Sequence, residues 1–468
     1  MPEPLHALTA EALANSFGRG DLSPIEVTET VLERAERLDR ELNAFVVIDR
    51  EGARRQAEAS AERWRRGAPL SGLDGVPVSI KDLVAMKGFA TRSGSRTTDP
   101  DALSDADCPS VARLREAGAV LIGKTHTPEF GWKGMTDSPL HGTTRNPWDL
   151  RRTPGGSSGG AGAAVAAGIG PLAHGTDAGG SIRIPSSYCG LFGIKPTFGR
   201  VPHTPNESPY ATLASNGPLA HTVRDAARML TVQSRPDSRD WYAAPYQGID
   251  FEAGLEDGVQ GLRIAYSPGL GGTRPDPEIA ALVTDAVKRF ETMGARVEEV
   301  GTVFDPLRPV FEDYWKAGFA YLLRGIPEDR RDLMDPGLRT LAEEGLAVGL
   351  DAYYQAVTAR ARLGSRIEQF HQHYDLLVTP TTPTSAPPAD VVYHSPEFDR
   401  WDQAVPYTVP FNLTGQPAAS IPAGLAAGGL PVGMQIVGPR FSEALVLRAA
   451  HAFEQAAPFT ARAMQETQ

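Results

Sequence analysis

Apolar residues first recur at helical spacing between residues 24 and 38, where Val27, Val31, Ala35 and Leu38 are separated by glutamate and arginine. That pattern predicts an amphipathic helix. Its start is marked by Ser23-Pro24-Ile25-Glu26, a capping box with proline at the first helical position. A second, highly charged helix is expected from Arg50 to Arg66, and both read as a solvated outer layer. The pattern changes near residue 70. Val76, Val78 and Ile80 alternate with other residues, which predicts a short buried strand ending near Lys81. Ser110 to Gly118 reads as a helix closed by glycine, and Ala119 to Ile122 as the next strand. Alternating helix and strand predicts an α/β sheet with helices packed on it.

Residues 153–200 are dense in glycine, alanine and serine. Gly160 to Ala167 reads as a helix of small residues that can approach its neighbours closely, flanked by loops where bare backbone can meet a ligand. Residues 230–260 are polar and turn-rich and read as a surface excursion. Leu262–Tyr266, Pro277–Met293 and Ala295–Val300 read as strand, helix and strand. Residues 310–372 read as mainly helical and Val378–Pro388 as an ordered loop. Gln435–Pro439 reads as a late strand, and Ser442–Gln455 as a closing helix. No repeat or linker is evident, so one domain over residues 1–468 is expected.

Composition narrows the class. Of 468 residues, 41% are hydrophobic and 22% charged, which excludes a largely disordered chain. The 48 glycines and 39 prolines have no period, which favours a turn-rich enzyme over a fibre. A net charge of −11 argues against a protein that coats nucleic acid. Two cysteines, Cys108 and Cys189, make neither a disulfide framework nor a zinc pattern and suit a reducing compartment. No secretory signal and no long apolar run is seen, so a cytoplasmic protein without membrane attachment is expected.

Several chemistries fail on their motifs. Gly155-Gly-Ser-Ser-Gly159 matches a nucleophile elbow but follows Asn146–Pro154, which is no apolar strand. A Ser-His-Asp triad would draw on His371, His373, His394 or His451, none of which has a distinctive setting. A phosphate-binding loop and a zinc-protease motif are both missing, so no metal is expected. Only seven lysines occur, which makes each informative. Lys81, Ser157 and Ser181 form the better constellation. A serine needs a base, and a lysine buried beside an apolar strand can stay neutral and be that base. The glycines before Ser181 leave amides free to face an oxyanion.

These segments are familiar together. Gly155–Gly160 followed by Gly175–Pro185 closely resembles the amidase signature family, and Gly75–Asp82 looks like that family's lysine strand. Thr143–Trp148, Asn412–Pro417 and Gly429–Pro439 are similar to its flanking motifs. The resemblance covers nearly the whole chain. It implies a single large α/β domain, with a central mixed sheet covered on both faces by helices.

By position, the resemblance makes Ser181 the nucleophile, Ser157 the bridging serine and Lys81 the base. Ser157 rather than Ser158 takes the middle role, because it lies at the family's spacing before Ser181, and a cis peptide is implied at Gly156–Ser157. The amides of Ala178, Gly179, Gly180 and Ser181 match the oxyanion hole, and Thr176 a supporting threonine. Asp177 and Arg183 are expected to be a structural pair. The implied reaction passes a proton from Ser181 through Ser157 to Lys81 and forms an acyl-enzyme that water releases. No cofactor is implied. The expected partner is a small-molecule amide, anilide, carbamate or ester, and a homodimer is left open.

Two departures bear on substrate. Family members that hydrolyse glutamine for a tRNA-dependent amidotransferase carry an acidic residue where Val405 stands, with Asp402 close by, and an arginine where Gly337 stands, with Arg339 nearby. Both recognition charges are missing, which favours a stand-alone amidase over that alternative. Val405, Gly337 and the loops around 130–140 and 310–340 are expected to shape substrate choice.

Overall fold

The structure is a computed structural model that describes residues 4–204, 209–305, 307–390, 406–461 and 463–464. Thirteen strands lie among the described residues. They are β1 (Phe45–Ile48), β2 (Pro77–Lys81), β3 (Val120–Thr125), β4 (Asp137–Ser138), β5 (Gly142–Thr143), β6 (Leu172–Asp177), β7 (Phe192–Lys195), β8 (Ser215–Ala220), β9 (Arg263–Tyr266), β10 (Arg296–Glu299), β11 (Leu376–Pro380), β12 (Ala418–Leu425) and β13 (Pro431–Val437). Eleven of them form one sheet in the order β1-β3-β2-β6-β8-β7-β12-β13-β11-β9-β10, while β4 and β5 pair separately. The sheet is mixed: β2 runs parallel to β3 and β6, whereas β6/β8, β7/β12 and β12/β13 are antiparallel. Helices flank it, as the alternation of elements predicts.

Local chemistry explains several boundaries. The helix Pro24–Leu42 starts where expected, and Ser23 Oγ accepts from the Ile25 N–H, the second helical amide rather than the third that a capping box uses. The charged helix spans Arg50–Arg65. Strand β2 is buried at all five positions because it lies between β3 and β6, so the alternation Val76-Val78-Ile80 does not mark an exposed face. The unit β9, helix Pro277–Thr292 and β10 is a parallel β-α-β crossover.

The flanks of the small-residue helix are not all loop, as the sequence pattern suggested. That helix spans Gly159–Ala166, and strand β6, helix Arg183–Cys189 and strand β7 follow it. Glycine hides β6: a Cβ on Gly175 would lie 2.6 Å from Leu219 Cδ1 on β8, so the neighbouring strand fills that space. In the small helix, a Cβ on Gly160 would lie 2.4 Å from the Ala44 carbonyl oxygen. The alanine-glycine composition is thus a packing requirement and outweighs helix propensity.

The register of β2 against β6 pairs Ile80 with His174. Because the two strands are parallel, Lys81 and the segment Thr176–Ser181 emerge at the same end of the sheet. This places the candidate chemistry outside the carboxyl ends of neighbouring strands.

Candidate active site

Lys81 is fully buried at the end of β2. Its Nζ is hydrogen-bonded to Ser157 Oγ at 2.7 Å, Ser158 Oγ at 2.9 Å and Thr176 Oγ1 at 3.0 Å. Burial away from water drives its pKa well below the ordinary lysine value, with the Asp177 carboxylate as the smaller opposing influence. Other buried lysines have different partners. Lys124 Nζ lies 2.6 Å from Asp82, and Lys133 Nζ bonds Asp137 and Asp335. Lys195 Nζ donates to the Pro196 carbonyl. Of these four, only Lys81 is bonded to serine hydroxyls.

The peptide Gly156–Ser157 is cis. Gly156 tolerates no side chain, since a Cβ would lie 2.4 Å from the Met135 carbonyl oxygen. Ser157 and Ser158 are 2% and 0% exposed and Ser181 is 8% exposed, so Ser181 is the most accessible of the three to a substrate. The Ser158 amide donates to the Ser181 carbonyl at 3.1 Å, joining the two glycine-rich turns. Among the described residues, no hydrogen bond joins the Ser181 hydroxyl to Ser157. Ser158, given no role by the sequence, donates its hydroxyl to the Thr176 carbonyl and accepts from the Thr176 N–H. It therefore holds Thr176 and Lys81 together.

Asp177 organises the turn around Ser181. Its carboxylate accepts from the Gly180 N–H at 2.7 Å and the Ile182 N–H at 3.2 Å, and pairs with Arg183 through two bonds of 2.9 Å. Burial alone would raise its pKa, but the Arg183 guanidinium outweighs burial and holds the carboxyl far below its usual range. The Gly180 amide is thus engaged by Asp177. The amides of Ala178, Gly179 and Ser181 have no backbone acceptor among the described residues.

Arg183 also donates to Asn412 Oδ1, Gln435 Oε1 and the Thr408 carbonyl. Asn412 returns a bond to the Asp177 carbonyl at 3.0 Å. The segments around 412 and 435 therefore meet behind Ser181.

The loops expected to shape substrate choice also converge. A Cβ on Gly131 would lie 3.0 Å from both Ser157 Oγ and the Tyr210 hydroxyl. Tyr210 packs on Trp315 and Phe319 with ring centroids 4.9 and 5.6 Å away. Trp315 Nε1 donates to the Trp132 carbonyl, and a Cβ on Gly337 would lie 2.9 Å from the Trp132 ring. Arg339 pairs with Asp332 and Glu343. Val405, Asp402 and His394 lie outside the described residues.

Two of the histidines weighed for a triad are engaged elsewhere. His371 Nδ1 bonds the Tyr374 carbonyl and His451 Nε2 bonds Glu256. Among the described residues, no histidine bonds Ser157, Ser158 or Ser181.

A large mixed sheet bearing a buried lysine bonded to the serine after a cis glycine peptide defines a class: α/β hydrolytic enzymes of the amidase signature type. The amidase family model matches residues 26–447, and the chain belongs to that family. It is 37% identical over 467 residues to an acylamidase of Rhodococcus erythropolis, covering 97% of this chain and 96% of the relative. It is 35% identical to a glutamyl-tRNA(Gln) amidotransferase subunit of Chromohalobacter salexigens, covering 97% of each. The crystal structure of a bacterial aryl acylamidase of the amidase signature family superposes with a TM-score of 0.90 at 31% identity over 98% of each chain.

Proposed function

We propose that this protein hydrolyses the carbon–nitrogen bond of neutral carboxylic amides, anilides among them, through an acyl-enzyme on Ser181. The observation that carries this reading is the 2.7 Å bond between Ser157 Oγ and the buried Nζ of Lys81. A lysine disfavoured as an ammonium can accept the Ser157 proton, and Ser157 can accept the proton of Ser181 as it attacks the carbonyl. The amides of Ala178, Gly179 and Ser181 serve the oxyanion, and the Gly180 amide serves the turn through Asp177. The relay then returns the proton to the leaving amine, and water releases the acyl group. Esters and carbamates enter the same route.

We read the protein as active without partner subunits. The support is Gly337, which offers no side chain to hold a substrate carboxylate and where a Cβ would already lie 2.9 Å from the Trp132 ring. The two unbridged cysteines, Cys108 and Cys189, support a reducing compartment. The test is a panel of aliphatic amides, anilides, carbamates, esters and glutamine given to the purified chain and to Lys81→Ala. Activity on neutral amides that vanishes in the variant is expected; activity confined to glutamine in the presence of other subunits and tRNA would overturn the reading.

A further inference from the structure

The turn after β3 touches the site through a residue that the relay does not use. Phe130 and Gly131 both adopt left-handed backbone, with φ of +50° and +73°. This conformation is disfavoured for a non-glycine residue, so it persists only where surrounding bonds hold it. The Phe130 N–H donates to the Ser93 carbonyl at 2.7 Å, and the Phe130 carbonyl accepts from the Tyr210 hydroxyl. The third tether is Glu129, which is fully buried. One carboxylate oxygen accepts from the Ser95 hydroxyl and the other from the Asp335 N–H. Asp335 in turn caps the helix Pro336–Gly345, accepting from the Gly337 and Leu338 amides.

We propose that Glu129 is a positioning residue for hydrolysis: its carboxylate, tied to Ser95 and to the Asp335 amide, fixes the Phe130–Gly131 turn against the Ser157 hydroxyl. The inference rests on the reading of Ser157 as the relay serine. A displaced Gly131 would admit water beside Ser157 Oγ, and a competing hydrogen bond there would weaken the bond to Lys81. As the bonds stand, the ionised carboxylate accepts from both donors, and charge strengthens each. On protonation the Ser95 bond reverses, the Glu129 hydroxyl donating and the Ser95 hydroxyl turning to Thr97, so the tether loses its charge assistance. Burial pushes the Glu129 carboxyl up to about 7; the Ser95 and Asp335 N–H bonds oppose that rise, the Asp335 carboxylate adds to it, and Lys133 opposes it. The charged groups facing Glu129 are thus Asp335 and Lys133, and Lys133 is also held by Asp137.

The test compares kcat/KM of wild type and Glu129→Gln across pH on one neutral amide, per active site counted by a serine-directed phosphonate. Glutamine copies the neutral acid and does not titrate. The wild-type advantage should be about tenfold near pH 9, the loss expected for one charge-assisted hydrogen bond, and should shrink toward equality as pH falls through 7. A ratio that stays constant with pH, at any value, overturns the proposal, because a purely structural role would give that result. Should Glu129→Gln fail to fold, Ser95→Ala decides. Losing the Ser95 donor should move the acid inflection to higher pH, and an unmoved inflection overturns the proposal. A wild type inactive on every neutral substrate overturns the proposed function and this inference together. An active wild type with a flat ratio overturns only the role of Glu129.

Discussion

Arg183 and Asn412 stand 229 residues apart in the chain and meet at 2.6 Å, with Arg183 at the same time clasping Asp177 through Nε and Nη2 along one guanidinium edge. Asp177 and Arg183 are both fully buried. A buried ion pair of this kind is costly to break from one side, because the remaining charge is left without compensation. Arg183→Met should therefore destabilise the fold by about 3–5 kcal/mol, read by denaturant unfolding. A loss under about 1 kcal/mol would show that the pair does not brace the fold.

The proposed nucleophile, Ser181, is tested directly. Ser181→Ala should lower kcat by on the order of 10⁴-fold or more while leaving the unfolding midpoint near wild type. Ser157→Ala should cost on the order of 10³-fold, since it removes the link between Lys81 and the nucleophile. A serine-directed phosphonate should label Ser181, and mass spectrometry finding the label on Ser158 instead would transfer the role.

The pH dependence follows from Lys81. In the proposed relay its neutral form is the active one, so kcat/KM should rise with pH. Burial lowers its pKa, so the rise should be complete well below the ordinary lysine value of about 10.4. Lys81→Ala should abolish the fast reaction at every pH, and Lys81→Arg should not restore it, because guanidinium keeps its proton.

The same burial has a sign for stability. A lysine whose folded pKa lies below its unfolded value binds fewer protons when folded, so between those values stability rises with pH. Against Lys81→Met, which has nothing to titrate there, wild type should gain stability as pH rises from the lowered folded pKa of Lys81 toward the ordinary lysine value of about 10.4. Chemical denaturation at several pH values would detect this, and a flat difference would mean that Lys81 is not desolvated.

The proposed substrate choice is tested at Gly337. A Cβ there would meet the Trp132 ring, so Gly337→Ala should strain the first turn of the helix Pro336–Gly345 against Trp132 by about 1–3 kcal/mol. Gly337→Arg should not create glutamine hydrolysis. Gain of that activity would show that Trp132 yields its place to a charged side chain.

Parts of this site could be read from the sequence because they lie on regular elements. The apolar run ending at Lys81 marks a buried strand end, whereas Ser157 and Ser181 lie in turns and were legible through their resemblance to the family's motif. Asp177 and Arg183 could be paired from their opposite charges. Other parts left no trace. Ser158 and Ser157 are neighbours of the same type, and only the folded turn shows that both reach Lys81. The commitment of the Gly180 amide depends on where Asp177 points, which no pattern records. Glu129 sits in an irregular turn whose partners, Ser95 and Asp335, lie on separate loops. Strands β6 and β7 escaped because glycines, placed for neighbouring side chains, break their alternation.

Strand β13 lies between β12 and β11, so within the sheet it alone joins the run β1-β3-β2-β6-β8-β7-β12 to the trio β11-β9-β10. It is also the last of these strands to leave the ribosome, and it brings Gln435 to Arg183. During synthesis, then, Lys81, Ser157 and Ser181 all exist before Gln435 can reach Arg183 behind Ser181. A chain stopped before Pro431 should carry every reacting atom and yet take up no phosphonate, whereas labelling of such a fragment would show that the site matures early. On the proposed reading of Ser181, such an order of strands would leave the serine inert until translation is nearly complete.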